Sequence, residues 1–254
     1  MSDRRLHLAR AALQRAEKQW KGQVTCLPGG ADRVIRRAFG GVDLAHHISI
    51  GGIAPVGLHE IICGHDDTGA SVLAWYLARL SNGDQTGKSL FWIRQRRAID
   101  QGGLYPLALP ETDMPVMMVV DQQATALWTC EEAAKSGQIA SIIAETTDYD
   151  LTAARRLQLA CEAGHTRLIA IRHVRSDGKT IASSAHTRWR ITPDAPNATE
   201  HSTTGNRHIL SLIGGRGVRP GSWRMQIDAT TFSLSVADAL ENRLPPDRYA
   251  ENRG

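Results

Sequence analysis

The chain has 254 residues, of which 42% are hydrophobic and 22% charged, an ordinary globular composition with room for one large core or two small ones. No apolar run approaches the ~18–20 residues of a membrane-spanning helix, Met1-Ser2-Asp3-Arg4-Arg5 opens without an apolar signal core, and Cys26, Cys63, Cys130 and Cys161 form no Cys-x-x-Cys. Membrane, secreted and zinc-ribbon classes are thereby disfavoured, and a cytoplasmic protein with free thiols is expected. The net charge of +4 is unevenly placed: +5 over residues 1–45, −6 over 46–149 and +5 over 150–254. Basic flanks around an acidic middle suit an anionic partner, or a normal surface with internal pairing.

In chain order, Arg4 to Trp20 predicts a basic amphipathic helix with Leu6, Ala9, Leu13, Ala16 and Trp20 on one stripe. A Gly/Pro connector follows at Cys26 to Gly30. Gly57–Cys63 reads as a strand, Ala70–Leu80 as a helix and Ser89–Ile93 as a strand. Val116–Val120 is a strand, Ala124–Lys135 a helix, Ile139–Ala144 a strand, Leu151–Ala163 a helix and Arg167–Arg172 a strand. Apolar strands alternating with helices predict a parallel sheet covered on both faces. Beyond residue 172 the strands Thr187–Ile191, His208–Ile213 and Trp223–Ile227 are joined by polar loops, and an antiparallel arrangement is expected. Val236, Leu240 and Leu244 recur at four-residue steps near the end, a stripe that packs on the core or on a partner. Three parts are expected: a basic helix and connector over 1–38, a core over 39–228, and an extension over 229–254.

The chemically informative segment is Gly64-His65-Asp66-Asp67-Thr68-Gly69-Ala70-Ser71. It leaves a strand and opens a helix, with Gly64, Gly69 and Ser71 at the spacing of a phosphate-binding loop. The lysine that would reach the β- and γ-phosphates is replaced by Ala70. Asp66 and Asp67 add negative charge where a polyphosphate would lie. A tight glycine turn is the bland alternative.

His59-Glu60 and His65-Asp66-Asp67 have no third spaced ligand, so surface residues are the default and no metal is expected. His46 and His47 cannot share a helical face. Asp148 and Asp150 read as turn and N-cap residues, and Glu131-Glu132 as part of a solvated helix face.

Phe39 to Leu44 and Gly51 to Ile61 resemble the approach to the phosphate loop of RecA-type recombinases. Leu90 to Arg94, Gly103 to Leu109, Leu127 to Ala133, Arg155 to Ala160, Thr187 to Ile191 and Gly215 to Trp223 resemble, within that superfamily, the ImuA family of bacterial mutagenesis operons. The resemblance spans residues 39–227. It implies a RecA-like α/β fold: a mostly parallel central sheet flanked by helices, with antiparallel C-terminal strands.

It also implies that the recombinase catalytic glutamate falls on Arg96, a cation that cannot accept a proton. The magnesium-supporting aspartate falls on Glu145, a tolerable change. With Ala70 in the loop, ATP hydrolysis is expected to be lost, tight ATP binding with it, and no cofactor is expected. The two DNA-binding loops of recombinases fall on Thr146 to Leu151, very short, and Arg175 to His186, of modest length.

Arg94, Arg97, Arg216 and Arg219, with Arg96, are candidates for partner or DNA contact, since a guanidinium suits carboxylate and phosphate alike. Protein contacts are favoured because no aromatics interleave to stack bases. Direct DNA binding stays open.

The resemblance implies a non-catalytic adaptor in SOS-induced translesion synthesis. Its partners would be an inactive Y-family-like polymerase subunit and an error-prone replicative-type polymerase, with RecA as a further candidate. A SulA-like division inhibitor and a surviving DNA-repair ATPase are the alternatives.

Overall fold

The computed structural model describes residues 53–64, 69–80, 88–100, 114–147, 149–173, 182–194, 206–228 and 233–240. The N-terminal helix and connector, the motif at 103–109, and His46, His47, His65, Asp66, Asp67 and Asp148 lie outside them. Among the described residues nine strands form one sheet: β1 Gly57–Cys63, β2 Ser89–Gln95, β3 Val116–Val120, β4 Ile139–Thr146, β5 Arg167–His173, β6 Thr187–Pro193, β7 Asn206–Gly215, β8 Gly221–Asp228 and β9 Ser233–Leu240. The spatial order is β3-β2-β4-β5-β1-β6-β7-β8-β9. The six strands from β3 to β6 run parallel, and β7, β8 and β9 continue antiparallel.

Helix α1, Gly69–Arg79, buries Leu73, Ala74, Trp75, Leu77 and Ala78 in a cluster with Ile61, Trp92, Ile143, Ile171 and Trp189 on one face of the sheet. A one-turn helix α2, Arg96–Asp100, follows β2 directly. Helices α3, Gln123–Lys135, and α4, Leu151–Gly164, bury Ala126, Cys130, Leu157 and Cys161 against Leu58, Ile93, Ile142 and Leu168 on the other face. Cover on both faces explains why β1 is buried along all seven residues, as central parallel strands are. Among the described residues no helix is long and apolar enough to cross a membrane.

Polar groups pin the elements in place. Asp150 caps α4, its carboxylate accepting from Ala153 N at 2.8 Å, as an N-cap should. The fully buried Arg167 donates through Nη1 to Leu77 O and Leu80 O, each at 2.8 Å, at the end of α1, and through Nε to Ala54 O at 3.3 Å. Burial lowers its pKa to about 9. Gly57 has φ +120, and a Cβ there would sit 2.3 Å from the His186 ring, so only glycine fits that entry to β1. Cys63, Cys130 and Cys161 are buried and none of them is in a disulfide.

One expectation is corrected. The strand after residue 172, β6, does not lie antiparallel to β5; β1 stands between them and β6 is parallel to β1. The connection therefore returns along the sheet, and its last residues are packed: Ala185 belongs to the core of the α3/α4 face. The residues Val236 and Leu240 of the C-terminal stripe fall on β9, Ser233–Leu240, paired with β8. Leu244 lies outside the described residues.

Candidate functional site at the edge of the parallel strands

In open α/β sheets ligands bind beyond the C-terminal ends of the parallel strands, the edge at which β1 ends and α1 begins. Gly64 has open space where a Cβ would be. Gly69 is buried, Ser71 half-buried, and Ala70, 1% exposed, sits in the apolar cluster of Ile61, Cys63 and Ile171. The methyl group of Ala70 thus completes the core at the start of α1. Beside it His173 Nδ1 donates to Gly64 O at 3.3 Å and lies 3.6 Å from Cys63 Sγ.

Two strands away, near the end of β4, the carboxylate of Glu145 is already engaged by β2. Trp92 Nε1 donates to its Oε1 at 3.0 Å, and Arg94 Nε lies 2.7 Å from the same oxygen. Arg94 is 8% and Glu145 5% exposed. Arg94, grouped on the sequence with outward contact candidates, is corrected to an internal residue, because alternation along β2 turns it inward beside Trp92. Arg96, the first residue of α2, is exposed and paired to Asp121 Oδ1 at 2.8 Å, a contact that raises its pKa. Gln123 clips down the start of the following loop: its Oε1 accepts from Gln95 Nε2 and from Thr147 N at 3.1 Å, and its Nε2 donates to Thr147 O at 3.3 Å.

Among the described residues a buried polar assembly centres on Glu60, in the middle of β1 and fully buried. Its Oε1 accepts from Tyr149 Oη at 2.8 Å, Arg172 Nη1 at 2.9 Å and Ser183 Oγ at 2.6 Å. Its Oε2 accepts from Arg188 Nε at 3.0 Å. Arg172 also donates to Tyr149 O at 3.1 Å, and its guanidinium stands 4.2 Å from the centre of the Tyr149 ring, a cation–π geometry. Burial, then the neighbouring Glu60, pushes the Tyr149 phenol well above its ordinary pKa, so it remains a donor.

His59, on the opposite side of the strand, is equally buried. Its Nε2 donates to Ala54 O at 3.0 Å and its Nδ1 accepts from Thr187 Oγ1 at 2.8 Å, while Trp189 Nε1 donates to that same hydroxyl at 2.7 Å. Burial holds His59 neutral, well below its ordinary pKa. The expectation that His59 and Glu60 are surface residues is therefore corrected. A charge in the centre of an apolar strand was the available signal, since such a residue persists only with partners.

The remaining arginines do not form one patch. Arg97 is exposed beside Arg96 at the C-terminal edge of β2. Arg216 and Arg219 are exposed in the β7–β8 turn, which lies at the opposite edge because Gly215 pairs with Thr187, the first residue of β6. Five strand steps separate β2 from β7, about 24 Å at the ~4.8 Å strand spacing. Arg216 Nη1 lies 3.8 Å from Glu162 Oε1. Glu131 is not simply solvated: it pairs with Lys135 at 2.7 Å and, between α3 and α4, with Arg156. No group of three or more His, Cys, Asp or Glu side chains converges among the described residues.

A mostly parallel sheet in this order, with a glycine-framed exit from its central strand into α1 and antiparallel strands closing one end, defines a RecA-like α/β protein. No family model matches the chain. Protein ImuA of Caulobacter vibrioides strain NA1000 / CB15N is 33% identical over 190 residues, covering 69% of this chain and 77% of that protein. Protein ImuA of strain ATCC 19089 / CIP 103742 / CB 15 shows the same identity and coverage. The chain belongs to the ImuA family.

Proposed function

We propose that this protein is a non-catalytic RecA-like adaptor of damage-inducible mutagenesis that works through protein contacts in translesion synthesis. The observation that carries this reading is the convergence of Tyr149 and Ser183 on Glu60 Oε1. These two residues come from the segments that correspond, by resemblance, to the mobile DNA-binding loops of recombinases. Here one hydrogen bond from each holds Tyr149 and Ser183 to a buried carboxylate, which favours fixed segments over ones that switch with nucleotide state.

The chemical parts support the same conclusion. Ala70 brings no charge to the loop, Arg96 is a cation paired with Asp121, and Glu145 is neutralised by Arg94. Membership of the ImuA family supports a place beside an inactive Y-family-like polymerase subunit and an error-prone replicative-type polymerase, with RecA as a further partner. The deciding experiment pairs ATP titration of the purified full chain with co-purification against those polymerase subunits. Retention of a polymerase subunit without ATP turnover is the expected result. Micromolar ATP binding abolished by Gly69→Asp would overturn the adaptor reading.

A further inference from the structure

Where β1 begins, one side chain joins three elements. Gln158, on α4 and 1% exposed, accepts through Oε1 from Leu58 N at 2.8 Å. Its Nε2 donates to Glu162 Oε1 at 2.7 Å and lies 3.1 Å from Nε2 of His186, the residue that precedes β6. A backbone N–H can only donate, so Leu58 fixes which end of the amide is the oxygen. The nitrogen then carries two hydrogens, one for Glu162 and one for His186. Nε2 of His186 must therefore accept, which leaves a neutral ring with its proton on Nδ1. The same two segments are joined through their backbones, since His186 N donates to Leu58 O at 2.8 Å. The packing leaves no slack: a Cβ on Gly57 would lie 2.3 Å from His186 Cδ2 and 2.9 Å from Gln158 Nε2.

We propose that Gln158 and His186 form a proton-sensitive clasp, closed while His186 is neutral and opened when its Nε2 takes a proton. A protonated Nε2 would point a hydrogen at an amide nitrogen that already donates. Turning the amide over would satisfy the ring. It would also set the nitrogen against Leu58 N–H and the oxygen against Glu162, so neither orientation serves all three partners. Among the described residues the charged groups facing His186 are Glu162 on α4 and Arg216 in the β7–β8 turn, themselves 3.8 Å apart. The neutral His59 ring stands 6.0 Å away on β1. Burial is the largest influence against the proton, Arg216 adds to it and Glu162 works the other way. Opening would part α4 from the start of β1 and from the residues just before β6. Neither the adaptor role nor the loss of ATP chemistry enters this inference.

The test is amide hydrogen exchange of the full chain, followed by NMR from pH 7 to 5 at Leu58 and at Ile143 of β4. Wild type, Gln158→Glu and His186→Gln are compared. Once the clasp is open His186 titrates near ~6.5, whereas the closed clasp holds it at about 4. Opening should therefore become about tenfold easier for each pH unit below ~6.5. Leu58, corrected for its intrinsic rate, is expected to lose protection on that slope and to exchange ahead of Ile143. A carboxylate at position 158 accepts from Leu58 N and from a protonated His186 alike. Gln158→Glu is accordingly expected to cancel the loss and to raise the His186 pKa above ~6.5. His186→Gln is expected to make the lead of Leu58 over Ile143 independent of pH. If one variant fails to fold, the other decides. A wild-type Leu58 that never exchanges ahead of Ile143 overturns the proposal. So does a pH-dependent lead that persists in His186→Gln, or in a folded Gln158→Glu.

Discussion

Tyr149 donates its hydroxyl to Glu60 across 2.8 Å, joining the segment after β4 to the middle of β1. The same carboxylate oxygen receives Ser183 and Arg172. Glu60→Ala would leave Arg172 and Arg188 without their buried counter-charge, a loss of about 3–5 kcal/mol. Tyr149→Phe keeps the ring under Arg172 and removes one donor to a charged acceptor, about 1.5–3 kcal/mol. Urea midpoints of the two variants should fall in that order. Faster amide exchange confined to the segments after β4 and before β6 should appear in Tyr149→Phe.

The Arg94–Glu145 pair leads to a second expectation. Glu145→Ala removes the carboxylate beside the buried Arg94 guanidinium and the acceptor of the Trp92 indole, a cost of about 3–5 kcal/mol. Glu145→Gln retains an oxygen for Trp92 and should cost less. Denaturant unfolding followed by tryptophan fluorescence checks the ranking. Equal losses in the two variants would mean that the charge contributes nothing.

Ala70→Lys should not produce an ATPase. Its side chain would enter a position only 1% exposed within the core of α1. Overpacking there costs about 1–3 kcal/mol. Arg96 still offers no proton acceptor, and Glu145 remains paired with Arg94. Phosphate release at background level, with a lowered unfolding midpoint, is the expected outcome; turnover above background would contradict it.

Acid should weaken the fold through its neutral histidines. Burial lowers the pKa of His186 to about 4 and that of His59 well below its ordinary value, whereas both titrate near ~6.5 in an unfolded chain. Below that value the unfolded chain binds more protons, so stability is full above about pH 6.5 and falls as pH is lowered toward 4. Urea midpoints measured from pH 7.5 to 4.5 should decline over this window. His186→Gln should flatten part of the slope.

Periodicity made the succession of strands and helices from Gly57 to Arg172 legible, because a strand covered on both faces must be apolar throughout and a crossover helix must separate it from the next. It could not place β6, since a polar connection lacking a predicted helix looks like a hairpin whichever neighbour the strand finally joins.

Of the candidate site, Gly64, Gly69, Ala70 and Arg96 were recognisable because loop chemistry depends on residues close in sequence. Glu60 was not, because its partners lie 89 to 128 residues away. The sequence by itself determined the α/β class, the family, and the absence of a lysine at position 70 and of a carboxylate at position 96. Only the tertiary structure decided that Arg94 turns inward, that Tyr149 and Ser183 meet on one carboxylate, and that Arg97 and Arg219 stand at opposite edges. The physical reason is that charge and hydrogen-bonding capacity are properties of a residue, whereas the dielectric and the partners that decide their use are assembled from distant parts of the chain.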